Sequence, residues 1–405
     1  MKQKMRPLTG LRFFLALWVI AYHQSGTDRL WFEQLELSQP VASFIRTGYA
    51  AVSIFFVLSG FILAYNYDLS VTWSRRERWR FAVARFSRIY PAYFLGLLCI
   101  APLIAFRMVK QFSPEAAVTE AVAGLLNFTL LQSWLPQTAL TWNDPGWSLS
   151  NEAFFYVCFP FVGVLLWRAS GTSTILAWAV GLWILSLLAP LGAVWLPVAG
   201  FGDVTAAIPM SSTSPWANLV RYHPVIRLAE FCAGILTGRI FFALQGMETW
   251  RDRRGQWFYL PAIAVTLLVA SQAHRIPYPL VHNGLLLPVY ACMILGLALS
   301  GGGLARWLST EGAVFLGNAS YSMYILHVPI FAWLNICWRR VLGLDATGPV
   351  WQAVYFASVV LVSSLVYKAV EEPMHYWLKR NLTQRLSPES NLPGVRVKGD
   401  AEPLG

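Results

Sequence analysis

Charge is what this chain most lacks. Asp, Glu, Lys and Arg make up only 13% of its 405 residues, against about 25% in a soluble domain. That scarcity excludes an ordinary water-soluble globule. Cysteine is sparse too: Cys99, Cys158, Cys232, Cys292 and Cys337 each sit in an apolar stretch without metal-type spacing. They read as small buried hydrophobes, which excludes a disulfide framework and a zinc site, and no metal is expected. No G-x-S-x-G elbow, Walker loop or H-E-x-x-H helix is present, so the usual hydrolase, nucleotide-loop and zinc-protease chemistries have no foothold. Nor is there an internal repeat of the kind that marks many transporters.

Hydrophobic residues supply 56% of the chain, at a mean hydropathy of +0.50. Apolar stretches of spanning length predict an all-α integral membrane protein of about ten transmembrane helices. They fall near 8–26, 48–66, 89–107, 147–167, 174–195, 224–244, 258–273, 283–300, 313–334 and 351–371, with a further short or re-entrant helix at 119–135. Lys2, Lys4 and Arg6 before an apolar run resemble a signal peptide. Arg12 interrupts that run and no small-x-small cleavage pattern follows, so the segment reads as a retained first span. With the N-terminus inside, most Lys and Arg fall on the cytoplasmic side, above all in the run WSRRERWRFAVARFSR at 73–88. Both termini are then cytoplasmic. The net charge of +11 reflects these basic loops, and no nucleic-acid partner is expected. Residues 1–380 form one transmembrane domain, and the polar 381–405 a short, disordered cytoplasmic tail.

The first span carries an arginine and a histidine. Arg12 and His23 are eleven residues apart, almost three helical turns, so they share one face at a separation of roughly 16 Å. Ionisable residues at membrane depth face a bundle interior or a wet cavity. Imidazole can serve there as general base or as nucleophile, which makes His23 the leading catalytic candidate. In WSLSNEAFFY, Glu152 is a lone carboxylate with Trp147 and Tyr156 about a turn away on either side. It is suited to orienting a histidine as an acid does in a triad, or to pairing with an arginine. Arg85 and Arg88 share a face at the end of the basic run, where guanidinium forks can bind phosphates or anchor to lipid headgroups. The segment GYAAVSIFFVLSGF, which holds Ser59, sets small residues among aromatics and suits close approach of a helix or narrow ligand. In GNASYSMYILHVPI, Tyr324 and His327 can touch, and His327 falls at about the height of His23. Arg227 and Glu230 read as a self-neutralising structural pair. The stretch from His23 to Asp28 matches an H-x4-D acyltransferase pattern, but it straddles a helix end without the α/β domain that pattern requires.

Taken in order, Arg12-x10-His23, GYAAVSIFFVLSGF, RFSRIYPAYF, WSLSNEAFFY and GNASYSMYILHVPI resemble the acyltransferase-3 family of bacterial membrane-bound O-acyltransferases, over about residues 7–376. The resemblance implies about ten helices in the cytoplasmic (inner) membrane and acyl-CoA, typically acetyl-CoA, as cytoplasmic donor. It implies as acceptor a sugar hydroxyl of a surface polysaccharide, an exopolysaccharide or a lipid-linked glycan precursor. It makes His23 catalytic, with Glu152 supporting it. It assigns Arg12, Arg85 and Arg88 to the donor, and suggests Ser59, Trp147, Tyr324 and His327 as lining residues. A standalone form without a fused SGNH domain is expected. Whether His23 deprotonates the acceptor or first carries the acyl group stays open. So do two other readings, O-acylation of a small molecule such as a macrolide and proton-coupled secondary transport.

Overall fold

The computed structural model describes residues 5–26, 36–195, 215–245, 254–346 and 348–384. These form helices and turns, with no strand among the described residues. Lys2, Lys4, Asp28, most of the outer segment expected at 196–223, and the tail from 385 onward lie outside them.

The first helix, α1, spans Arg6–Gln24. It is followed by α2 (Gln39–Arg46) and α3 (Ala50–Asn66), two helices bent by 46° at a short break. Next come α4 (Arg75–Lys110), α5 (Pro114–Phe128), α6 (Trp147–Trp167) and α7 (Thr172–Trp195). The short α8 (Pro215–Tyr222) leads into α9 (Pro224–Gln245) and α10 (Gln256–Ser271). After α11 (Tyr278–His282), α12 (Leu287–Leu299) and α13 (Gly303–Leu308) comes α14 (Glu311–Ile336). The described chain ends with α15 (Gly348–Val366), a π turn at Tyr367–Glu371 and α16 (Glu372–Gln384).

Among the described residues, five helical segments are long and apolar enough to cross a membrane, or six if the bent α2–α3 pair is one span. This is a membrane protein, but fewer segments pass that test than the ten expected. The reason is chemical. Helices α1, α9 and α14 carry polar or ionisable groups within their length: Arg12, Arg227 with Glu230, and Asn318 with His327. Apolar α10 is only 16 residues long.

The sequence-based boundary of the third span is corrected. The basic run at 73–88 is not a loop but the first turns of α4. Ser74 accepts from the Glu77 amide while the Glu77 carboxylate accepts from the Ser74 amide at 2.7 Å, a capping box that starts the helix at Arg75. The 119–135 segment is likewise displaced, becoming the N-capped α5 and a 3₁₀ turn at Gln132–Trp134.

Close backbone contact holds the bundle together. A Cβ at Gly60 of α3 would lie 2.1 Å from the Phe231 carbonyl oxygen of α9, and one at Gly234 of α9 would lie 2.0 Å from that of Val57. Helix α1 seats on α13 and α14 in the same way. Cβ atoms at Gly10 and Gly317 would each meet a carbonyl oxygen, of Leu308 and Thr9 respectively, at 2.0 Å. Small residues permit such approach where lipid offers no hydrophobic drive. Phe56, Phe155 and Phe231 fill the seam between α3, α6 and α9.

Gly60→Ala should therefore destabilise the purified protein by about 3 kcal/mol, the upper end for overpacked sites. Gly181→Ala on α7, where nothing lies within 4 Å, should be neutral or gain up to about 1 kcal/mol. Thermal midpoints in detergent compare the two, and equal shifts would refute the packing role of Gly60.

Candidate active site

At the end of the bundle where α1 begins, a cavity of about 790 Å³ opens between α1, α3, α4, α6, α14 and α16. Its charged lining is unbalanced. Arg6, Arg12, Arg80, Arg85, Arg88 and Lys379 face it, against the carboxylates of Asp68, Glu77 and Glu152. Several of these charges are already engaged. Arg6 donates to the Ser309 carbonyl at 2.9 Å, and Glu77 is occupied by its cap. Arg88 binds the buried Glu371 at 2.6 Å, and Ser322 donates to the other Glu371 oxygen at 2.6 Å. Arg85 lies against the rings of Tyr67 and Phe81, and donates to the Tyr67 hydroxyl at 3.3 Å. Arg12, by contrast, makes no ion pair or hydrogen bond among the described residues. A guanidinium directed into an apolar bundle without a carboxylate is a strong electrostatic demand for an anion.

Glu152 sits deeper in the same cavity. Its carboxylate accepts from Ser59 of α3 at 2.9 Å and from the Tyr156 hydroxyl one turn along α6. The structure brings Ser59 to Glu152, but it does not bring Glu152 to His23. The inner end of the cavity is formed in part by Ser148, which donates to the Tyr324 hydroxyl at 2.9 Å.

His23 and His327 are not in the cavity lining, but lie one helical turn beyond Tyr324. The height match expected between them is tight, with ring centroids 4.8 Å apart. His23 Nδ1 meets the Val19 carbonyl at 2.9 Å, and His327 Nδ1 meets that of Tyr324 at 2.8 Å. A carbonyl can only accept, so Nδ1 is the donor in each ring, and in the neutral form the lone pair then stands on Nε2. That is the form a general base or nucleophile requires.

Trp147 does not line the cavity either. It packs against Phe56 and Tyr222, with the Arg227 guanidinium over its ring. Arg227 and Glu230 pair at 3.0 Å in full burial, as their spacing predicts. Of the tryptophans in the 108–146 segment, Trp142 is built in, with its indole donating to the Glu120 carbonyl and its ring against Gly124, while Trp134 remains partly exposed.

The residues that spacing alone did not single out are Ser148, Tyr67, Arg80, His375 and Lys379. His375 and Lys379 are four apart on α16, a helical signal that was available but fell in the supposed tail boundary. His375 shares a 3.2 Å hydrogen bond with Ser87, between Arg85 and Arg88.

The profile described as "Acyltransferase domain" matches residues 7–368. The chain belongs to the acyltransferase-3 family. It is an enzyme of acyl transfer, and the transport reading falls away. It is 26% identical to acyltransferase MdmB of Streptomyces mycarofaciens, across 95% of both chains. It is 22% identical to the peptidoglycan O-acetyltransferase OatA of Listeria monocytogenes and to O-acetyltransferase OatA of Staphylococcus aureus, covering 91% of this chain in each case. The chain spans just over half the length of these OatA proteins, 55% and 56%. No solved structure gives a significant match.

Arg88→Ala strands the Glu371 carboxylate, fully buried, without its cation. Removing one partner of such a pair should cost roughly 3 kcal/mol, allowing for the partial exposure of Arg88. Arg88→Met with Glu371→Gln should recover most of it. Chemical-unfolding midpoints test this, and an undiminished Arg88→Ala protein would show that the pair is not structural.

Proposed function

We propose that this acyltransferase moves an acetyl or other short acyl group from cytoplasmic acyl-CoA to a sugar hydroxyl of a surface polysaccharide, an exopolysaccharide or a lipid-linked precursor. In this reading it crosses the bacterial cytoplasmic membrane about ten times with both termini inside, so that the cavity opens to the cytoplasm.

The observation that carries the reading is unpaired Arg12 at the wall of a cation-rich cavity whose inner end lies one turn below the His23–His327 pair. The residues fit an elongated donor that is anionic at one end and neutral at the other. Arg12 and Arg85 hold its phosphates, with Arg88 contributing charge through the Glu371 bridge. Ser59, Glu152 and Tyr156 form a polar wall along the arm, and Ser148 with Tyr324 marks the end where the thioester belongs. The donor supplies an activated acyl group. His23 Nε2 removes the acceptor hydroxyl proton, or carries the acyl group before handing it on. His327, one ring away, holds that imidazole against its carbonyl anchor.

The glycan acceptor draws support from the OatA relatives, one of which is named for peptidoglycan. The second reading, O-acylation of a small molecule such as a macrolide, draws support from the end-to-end match to MdmB, whose name specifies no polymer.

His23→Ala should abolish acceptor-dependent release of CoA while leaving the thermal midpoint within a degree or two of the parent. Activity retained in a folded variant would refute the assignment. Arg12→Ala should raise the KM for acetyl-CoA at least about tenfold, the worth of a charge-assisted contact of about 1.5–3 kcal/mol. An unchanged KM would remove Arg12 from the donor site.

A further inference from the structure

Helix α16 lies beyond the residues matched by the family profile, which end at 368, yet it furnishes part of the cavity wall through His375 and Lys379. Its placement follows from two contacts with α4. Arg88 meets Glu371 at the top of α16, and Ser87 meets His375 one turn further down. The two helices therefore run antiparallel, α4 entering the bundle as α16 leaves it. Eight residues back from Arg88 is Arg80, and eight residues on from Glu371 is Lys379. At 1.5 Å per residue each stands about 12 Å along its helix from the ion pair, on the outward side, and both line the cavity. Neither forms an ion pair among the described residues. Glu77, the carboxylate closest to Arg80 in sequence, is held by the Ser74 cap.

This cation pair is distinct from the deeper Arg12 and Arg85. If the thioester end reaches Ser148 and Tyr324 and the diphosphate meets Arg12 and Arg85, what arrives at the rim is the far end of the donor. In coenzyme A that end carries a phosphate monoester on the ribose, the most highly charged single group of the molecule. We propose that Arg80 and Lys379 form a rim clamp for this 3′-phosphate, so that α16 confers selectivity for coenzyme A over its 3′-dephospho form. The proposal rests on the acyl-CoA reading above and deepens it. An arginine fork and a lysine ammonium at one cavity mouth suit a dianionic monoester better than a diester. Because Arg80 is exposed and Lys379 partly so, the selectivity should fall as salt is raised.

The test is titration calorimetry on the full-length protein in detergent, with CoA and 3′-dephospho-CoA as probes, so that no acceptor is needed. The parent protein should bind CoA about tenfold more tightly, with the preference shrinking in high salt. In the Arg80→Gln/Lys379→Gln double variant the preference should vanish through weaker CoA binding alone, leaving the affinity for 3′-dephospho-CoA unchanged. Both positions are at the surface rim, where substitutions cost little stability. Equal binding of the two probes by the parent, or a preference that survives in the variant, would overturn the clamp while leaving the donor reading intact. Failure of the parent to bind either probe would instead overturn the donor reading itself.

Discussion

A charge inside an apolar bundle has to be answered, and the way each one is answered organises this protein. Desolvating a guanidinium costs several kcal/mol unless a partner restores the lost hydration. Arg227 is answered by Glu230, Ser53, Asn283 and the His282 carbonyl. Arg88 is answered by Glu371, itself braced by Ser322. These closed networks tie α9 to α3 and the residues around α11, and α4 to α14 and α16. Among the described residues outside these networks, the buried Arg221 is covered by the Tyr222 and Tyr278 rings and Arg85 by those of Tyr67 and Phe81, whereas Arg12 faces a cavity without an ion pair. What separates the arginines is thus their partners, not depth or residue type.

The same economy explains why the cavity exists in a bundle otherwise pressed to backbone contact. Gly60 and Gly234 bring α3 and α9 together, and Gly10 and Gly317 bring α1 onto α13 and α14. Those contacts lie on faces that turn Ser59 and Arg12 toward the cavity rather than toward a neighbouring helix. On α3, Ser59 and Gly60 are adjacent, so seating one against α9 directs the other away from it, toward Glu152. The glycines are in this sense part of the site. They set the rotation of the helices that present its polar groups.

Much of this was legible in the sequence because the informative residues are costly ones. Arg12, His23, Glu152 and His327 stand out from apolar surroundings by composition alone, while helical spacing gave only a similar height for His23 and His327, and their ring contact comes from the fold. What was not legible depends on helices distant in sequence. The three-residue spacing of Arg85 and Arg88 makes them look equivalent, yet Glu371, 283 residues on from Arg88, engages one and leaves the other among aromatic rings. Glu152 suited either a triad acid or the partner of an arginine, whereas Ser59 and Tyr156 supply its contacts. Hydropathy misjudged the basic run that opens α4 for a related reason. Charged residues can begin a membrane helix when a cap such as Ser74 with Glu77 starts it, and no apolar window reports that.

The two histidines are alike in tautomer but not in surroundings, and this difference assigns their work. His327 is almost completely buried, at 1% exposure, and the carbonyl of its own residue also accepts from Tyr355 at 3.2 Å. A ring enclosed on that scale can pack and polarise, but an acceptor hydroxyl cannot reach it without displacing a helix. His23 stands in the last turn of α1, only partly buried, with its ring fixed from below by Val19 and from the side by His327. An imidazole that transfers protons or acyl groups must meet two molecules, one from each direction. Among these two rings, His23 is the one whose position permits that. In the proposed reading the eleven-residue interval to Arg12 gains a mechanical sense, because one rigid helix would set the distance between the anion-binding end of the donor path and the transferring ring.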